Sequence, residues 1–360
     1  MRAFLTIAIL LLLAGAAAAG YFWYAMEKPY GNFTHEGVFV EIPRGSSLRG
    51  VSHLLEQRGV IRSALAFEFY GRRNSKRRLV AGEYYFDHPS TGKDVFWKLA
   101  NGEIFEQPFT VHEGDTIRDI ARNLQAANYV KGSDFIVAAK DTTQIQDIAP
   151  SAKSLEGFLF PATYNLPHNT TATDLATMMV KKFREAMQAI APDRMEPMTP
   201  GTPLLSVVTL ASLVESETPK PEERPLVAGV YTNRLHEGML LQCDPTVVYA
   251  LKQVNQYNPP LTLKDLHYES PYNTYLHPGL PPGPIGNPGE SALRAALAPA
   301  QTDYLFFVAN TQGGHFFAST LAEHNKNVAK YHRLLNGAPA DESELEGTPP
   351  HVGMANKGQR

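Results

Sequence analysis

The chain has 360 residues, a net charge of −3 and one cysteine, Cys243. That length suits two or three domains, while the lone thiol excludes an internal disulfide and a Cys-based zinc site, and the lack of a basic block gives nucleic acid no footing. No Walker-type glycine run is present, and His236-Glu237 lacks the second ligand of a His-Glu-x-x-His site, so no metal or cofactor is expected.

The first predicted element is a helix over residues 4–26, FLTIAILLLLAGAAAAGYFWYAM, which carries no charge. At 1.5 Å per residue it is long enough to cross a bilayer. Tyr21, Phe22, Trp23 and Tyr24 gather at its far end, as an aromatic interfacial belt does. The small residues AGAAAAG are what a cleaved signal peptide offers. The long apolar run, with aromatics beyond the small residues, favours a retained anchor. Arg2 before the run and Glu27 after it favour residues 1–3 in the cytoplasm. The expectation is a single-pass protein of the inner membrane with its body in the periplasm.

Two related α+β units are predicted next, 38–106 and 107–195. VEIPRGSSLRGVSHLLEQRGVIRS (40–63) matches FTVHEGDTIRDIARNLQAANYVKG (109–132). Each has a β-type run, a turn at Gly45 or Gly114, and an amphipathic helix. Leu48, Val51 and Leu55 correspond to Ile117, Ile120 and Leu124 at helical spacing. Ser46 and Asp115 are the expected N-caps. AGEYYFDHPSTGKDVFWKLANG (81–102) then parallels EGFLFPATYNLPHNTTATDLATMMVKKF (156–183) as strand, Pro-containing loop and helix. PFTVHEGDTIRDIARNL resembles the LysM signature, a small module that grips the N-acetyl sugars of peptidoglycan. A capped amphipathic helix that only packs accounts for the same residues equally well. The linker IAPDRMEPMTPGTP introduces a third segment, 196–336, and a polar tail, 337–360, expected to be disordered.

The third segment carries the candidate chemistry. Leu204, Val208, Ala211 and Glu215 fall on one helical face, so Glu215 ends an apolar stripe. Partial burial raises a carboxyl pKa, which suits proton donation near neutrality. A frayed end of a core helix is the competing explanation, although a carboxylate opposes the macrodipole there. Glu217 lies on a different face. A second helix follows with Pro221 or Pro225 in its first turn, Glu222 and Glu223 at its positive end, and Gly238 at its stop. Asn233 and Arg234 come late on it and are placed to reach a cleft. Asp244-Pro245 reads as a cap pair. Gln242 before it, and Tyr272, Asn273, Thr274 and Tyr275 on a proline-stiffened loop, are candidate carbohydrate contacts. His315 and Phe317 share one face of a late strand.

ASLVESET, VYTNRL, GMLLQCDPTVVYAL, SPYNTY, GLPPGPIGNPG and GGHFF occur in this order, with EGFLFPATY before them. Together they resemble the YceG-like family of endolytic murein transglycosylases, over nearly the whole chain after the anchor. Cys243 departs from that pattern, where Ser or Thr is more usual, and Ser216 and Pro219 also vary. The resemblance implies an α+β fold: an N-terminal transmembrane helix, one or more LysM-like α+β units and a C-terminal α+β catalytic domain. It implies a lytic transglycosylase that cuts nascent glycan strands between N-acetylmuramic acid and N-acetylglucosamine. The cut leaves 1,6-anhydromuramoyl ends and limits strand length during wall elongation. Glu215 corresponds to the catalytic acid and base. Glu217, Asn233 and Arg234 are candidates for support, and Gln242, Tyr272, Asn273, Thr274, Tyr275 and His315 for substrate binding. Peptidoglycan synthases are the partners such a role suggests. A hydrolytic muramidase and a non-catalytic LysM-like wall-binding scaffold are the alternatives.

Overall fold

The structure, a computed structural model, describes residues 2–195 and 203–336. The expected tail, 337–360, and the middle of the Pro- and Met-rich linker lie outside the described residues. The fold mixes helices with short two-stranded sheets. Residue contacts divide the chain into two units, 1–108 with 165–169, and 109–164 with 170–360. The expected segments 107–195 and 196–336 thus fall largely in one unit.

Unit 1 begins with α1 (Arg2–Glu27), a helix long and apolar enough from Phe4 to Glu27 to cross a membrane. It fits a single-pass anchor. β1 (Val38–Ile42), α2 (Leu48–Gln57), α3 (Ala64–Arg73), β2 (Gly82–Phe86) and α4 (Gly92–Asn101) come next along the chain. β1 and β2 pair antiparallel from Val38 opposite Phe86 to Ile42 opposite Gly82. Alternation along the strands sends Val40, Ile42, Tyr84 and Phe86 inward, onto Leu55, Phe67, Phe96 and Leu99. Ala25 and Met26, at the end of α1, belong to the same core.

The second repeat uses the same order: β3 (Gln107–Thr110), α5 (Ile117–Ala126), α6 (Gly132–Ala138), β4 (Thr163–Leu166) and α7 (Ala172–Ile190), with β3 beside β4. Gly45 and Gly114 both turn the chain with φ near +80° (+82° and +81°), where a side chain would be strained. The helix caps differ from expectation by one residue. Ser47 and Thr116 cap α2 and α5, not Ser46 and Asp115. Thr91, Thr116 and Thr171 each form a capping box with an Asp three residues on. The hydroxyl reaches the N3 amide while the Asp carboxylate returns to the cap, which satisfies two otherwise orphaned donors.

Unit 2 continues with α8 (Leu204–Glu217), α9 (Arg224–His236), α10 (Asp244–Gln253), α11 (Glu290–Leu297), β5 (Phe306–Ala309), β6 (His315–Ala318) and α12 (Leu321–Leu335). α8 is nearly all apolar and packs against α9 and α11, with Val207, Val208, Ala211 and Val214 buried. Its interior position fixes where its last residues emerge.

Candidate active site

Glu215 closes the buried stripe of α8 and keeps only 6 % of its side chain exposed. Oε1 accepts a hydrogen bond from Arg224 Nη2, and Oε2 accepts one from the Gly289 amide at 2.9 Å. Gly289 is the N-cap of α11, so the carboxylate meets the positive end of a second helix. This relieves its unfavourable place at the C-terminus of α8. Arg224, the first residue of α9, is 4 % exposed, and its Nη2 also lies 3.3 Å from Glu113 Oε2. Two carboxylates therefore share one guanidinium. With both ionised the trio carries one negative charge, and a single proton neutralises it.

Burial holds the Glu215 pKa above the usual carboxyl range. The Gly289 amide and Arg224 pull against that rise, while the charge of half-exposed Glu113 adds to it. Glu215 is therefore the more buried of the two acids and a natural seat for the proton.

The Glu113–Gly114 turn is held there by a backbone clamp. Gly114 donates to Asn287 O at 2.8 Å, and Asn287 donates back to Asp115 O at 3.0 Å. The Asn287 side chain is fully buried. Its Oδ1 accepts from the Gly157 and Leu159 amides, both at 2.9 Å, and its Nδ2 donates to Asp115 O and Glu156 Oε1. Glu156 in turn accepts from the Ile117 amide at 3.0 Å and the Tyr249 hydroxyl at 3.2 Å. Burial pushes the Glu156 pKa up to about 8 against these three hydrogen bonds. Asn287 and Glu156 thus tie the Glu113 turn, the 157–159 segment and the loop ahead of α11 into one frame around Glu215.

Cavities flank this frame. One of about 330 Å³ is lined by Gly114, Thr116, Ser216, Asp244 and Tyr249. A second, of about 480 Å³, shares Thr116, Asp119, Tyr249 and Lys252 with it as lining. A third, of about 540 Å³, is lined by Glu113, Pro221, Pro225, Glu290 and Arg294. Glu113 and Gly114 therefore border cavities on both sides, beside Glu215. Cavities on both sides of the turn that meets Glu215 make this the candidate cleft.

Glu217 points elsewhere. It accepts from the Tyr231 hydroxyl, and burial raises its pKa while that bond opposes the rise. Burial also pushes the neighbouring Tyr231 hydroxyl and Cys243 thiol up. Asn233 and Arg234, the candidates for support, are held by backbone carbonyls. Asn233 donates to Thr302 O and Tyr304 O, and Arg234 to Leu305 O and Leu241 O, so both anchor loops. Asn273 and Thr274 are likewise buried and staple their own loop. Asn273 holds Leu266 O, Tyr268 O and the Tyr275 amide, and Thr274 accepts from the Cys243 amide. Cys243, not Asp244, is the cap of α10, and Asp244 accepts from the Tyr275 hydroxyl. Tyr272 packs on Tyr249, which lines the first cavity. Gln242 is exposed at φ +49° with its amide on Thr274 O. His315 is bound through Nδ1 and its amide to Glu223, the residue before Arg224.

Sequence reasoning missed Glu113, Arg224 and Gly289 around Glu215, and the Asn287–Glu156 frame. Arg224 did leave a signal. A cation in the first turn of a helix opposes the macrodipole, which calls for a partner from elsewhere in the fold.

The model of the YceG-like family matches residues 40–330. An endolytic murein transglycosylase of Bacillus subtilis is 32 % identical over 336 residues, which cover 89 % of this chain and 91 % of that protein. One from Streptococcus pneumoniae is 30 % identical over 90 % of this chain and 64 % of its own length. The crystal structure of a YceG-like protein from Listeria monocytogenes aligns with a TM-score of 0.55 at 34 % identity, over 81 % of this chain and 99 % of that one.

Proposed function

The chain belongs to the YceG-like family, and from that premise we propose that it is a lytic transglycosylase of peptidoglycan with Glu215 as its acid and base. The carrying observation is the buried Glu215 carboxyl in the Arg224–Glu113 trio, beside cavities lined by Glu113, Gly114 and Ser216. Protonated Glu215 gives its proton to the glycosidic oxygen between N-acetylmuramic acid and N-acetylglucosamine as that bond to C1 breaks. The muramic C6 hydroxyl then bonds to C1, and the carboxylate takes its proton. A 1,6-anhydro end forms, no water is consumed, and Glu215 returns protonated. Because no water needs activation, the second carboxylate of a hydrolysing glycosidase is dispensable. Arg224 and the Gly289 amide steady the carboxylate between the two transfers. Tyr249 and Tyr272 form an aromatic wall of the cleft, and Gln242 and Tyr275 lie on the segments flanking Asp244, suited to sugar hydroxyls. The LysM-like segment serves the same cleft, since its turn supplies Glu113. With α1 as anchor, the body faces the periplasm, where it trims nascent strands beside the synthases that make them.

Digestion of uncrosslinked glycan, followed by mass spectrometry, tests the reading. Anhydro-ended fragments are expected from the wild type, with release falling roughly 10²–10⁴-fold in Glu215→Gln. Products heavier by one water indicate a hydrolase instead. No release from the wild type indicates a scaffold.

A further inference from the structure

We propose that α3 of unit 1, with the basic turn at its C-terminal end, lies on the membrane surface against anionic phospholipid headgroups. This placement requires α1 to cross the bilayer.

Depth comes from α1 itself. A hydrocarbon layer of about 30 Å takes roughly 20 helical residues, so a span entered at Phe4 leaves it near Trp23. Phe22 stands at that boundary, and the Phe69 ring of α3 meets it edge to face, 5.3 Å between centroids. Phe69 keeps 59 % of its surface exposed despite this contact. Leu65, one helical turn earlier on the same face, is 77 % exposed. The opposite face of α3 is spent on the core through Ala64, Phe67 and Gly71. Two large apolar side chains beside a membrane-boundary residue thus remain mostly exposed. Burying them in the interfacial layer removes apolar surface from water, which is favourable.

The joint between α1 and unit 1 has no slack. Ala25 and Met26 are core residues, and Lys93 pairs with Glu27. The Arg62 guanidinium sits 4.3 Å over the Tyr24 ring and 4.6 Å over Tyr30. Contacts therefore step from Tyr24 at Arg62 back to Phe22 at Phe69, so Phe69 sits nearer the span than Arg62 does. The last turn of α3 and the segment beyond it are basic: Arg72, Arg73, Lys76, Arg77 and Arg78 are all exposed. Glu68, the acid on this stretch, is already bound to Arg72. Arg77 lies over Trp97, an aromatic of the kind that settles at headgroup level. Apolar side chains, an interfacial tryptophan and a cluster of cations, continuous with a membrane helix, fit an anionic lipid surface better than a protein partner.

The chain has two tryptophans, Trp23 and Trp97. The full-length protein in lipid nanodiscs therefore accepts single-tryptophan reporters. Trp97→Phe leaves Trp23 to report the span. Leu65→Trp and Phe69→Trp, each in a Trp23→Phe/Trp97→Phe background, report the face, and two sites guard against one misfolding. Brominated lipid is expected to quench both face reporters as it quenches Trp23. Brominated phosphatidylglycerol should quench them more than brominated phosphatidylcholine, and Lys76→Gln/Arg77→Gln/Arg78→Gln should abolish that difference. If Trp23 is quenched while the face reporters are not, the span stands and the docking proposal is overturned. Reporters shielded from lipid and from aqueous iodide alike would mark a second copy or another protein, which also overturns it. Equal quenching by the two lipids overturns the headgroup assignment. An unquenched Trp23 overturns the proposal together with the anchor it requires.

Discussion

Glu113 and Glu215 share a single guanidinium: Arg224 Nη2 bonds Glu215 Oε1 and stands 3.3 Å from Glu113 Oε2. The first acid is supplied by the turn ahead of α5 and the second by the core helix α8, so the proton on Glu215 depends on both segments.

Glu113 raises the Glu215 pKa through its charge. Removing that charge in Glu113→Gln lowers it, so Glu215 loses its proton at lower pH. The alkaline limb of the pH–kcat/KM profile is expected to move to lower pH. Gly289→Ala gives the same sign by another route. A Cβ there would stand 2.0 Å from Glu113 Oε1, the mobile end of a side chain, and would displace that carboxylate while keeping the amide on Glu215. Profiles that leave the alkaline limb of both variants in place contradict the shared-charge account.

Arg224→Met strands two carboxylates, one of them 6 % exposed. The expected cost is about 3–5 kcal/mol in urea denaturation of the intact protein. Adding Glu215→Gln should return a good part of it, because the orphaned buried charge is gone. Strictly additive losses in the double variant would show that the two groups do not interact.

Glu156 gives stability a pH dependence. Its folded pKa of about 8 exceeds the ordinary 4.5, so between those values the native chain binds more protons than the unfolded one. Stability is therefore fully present below about pH 4.5 and is lost as pH rises toward about 8, by on the order of 4 kcal/mol. Glu156→Gln, which fits the same space, should flatten that slope. Denaturation midpoints across pH 5–8 that fall equally in both proteins would refute the assignment.

Asn287→Ala leaves the Gly157 and Leu159 amides without their acceptor. Each buried orphan costs about 1–3 kcal/mol. Activity is expected to fall further than stability explains, because Asn287 also lies in the loop that carries the Gly289 amide to Glu215. Turnover measured at a temperature where the variant is fully folded separates the two effects.

The helical reading of α8 and the place of Glu215 on its apolar stripe were legible because helix periodicity is local. So was the doubled strand–turn–helix pattern, to within one residue at the caps, where Ser46 and Ser47, or Asp115 and Thr116, offer competing oxygens. Asn273 and Thr274 read as substrate contacts, and Asn233 and Arg234 as supports of a site, because polar side chains near a cleft and polar side chains stapling a loop have the same composition. Only the burial of Asn273 and Thr274, and the carbonyls around Arg234, distinguish the two. Glu113 and Gly289 could not be paired with Glu215 from sequence, since nothing local fixes contacts between such distant segments.

Ala25 and Met26 being interior residues of unit 1 means that the span ends without a swivel. The apolar stretch from Phe4 to Trp23 is about 30 Å of helix, the thickness of a typical hydrocarbon layer. Where such a helix spans a bilayer, a thinner membrane makes it lean. Unit 1 then turns with it as one lever arm, so lipid thickness sets the angle at which unit 1 stands.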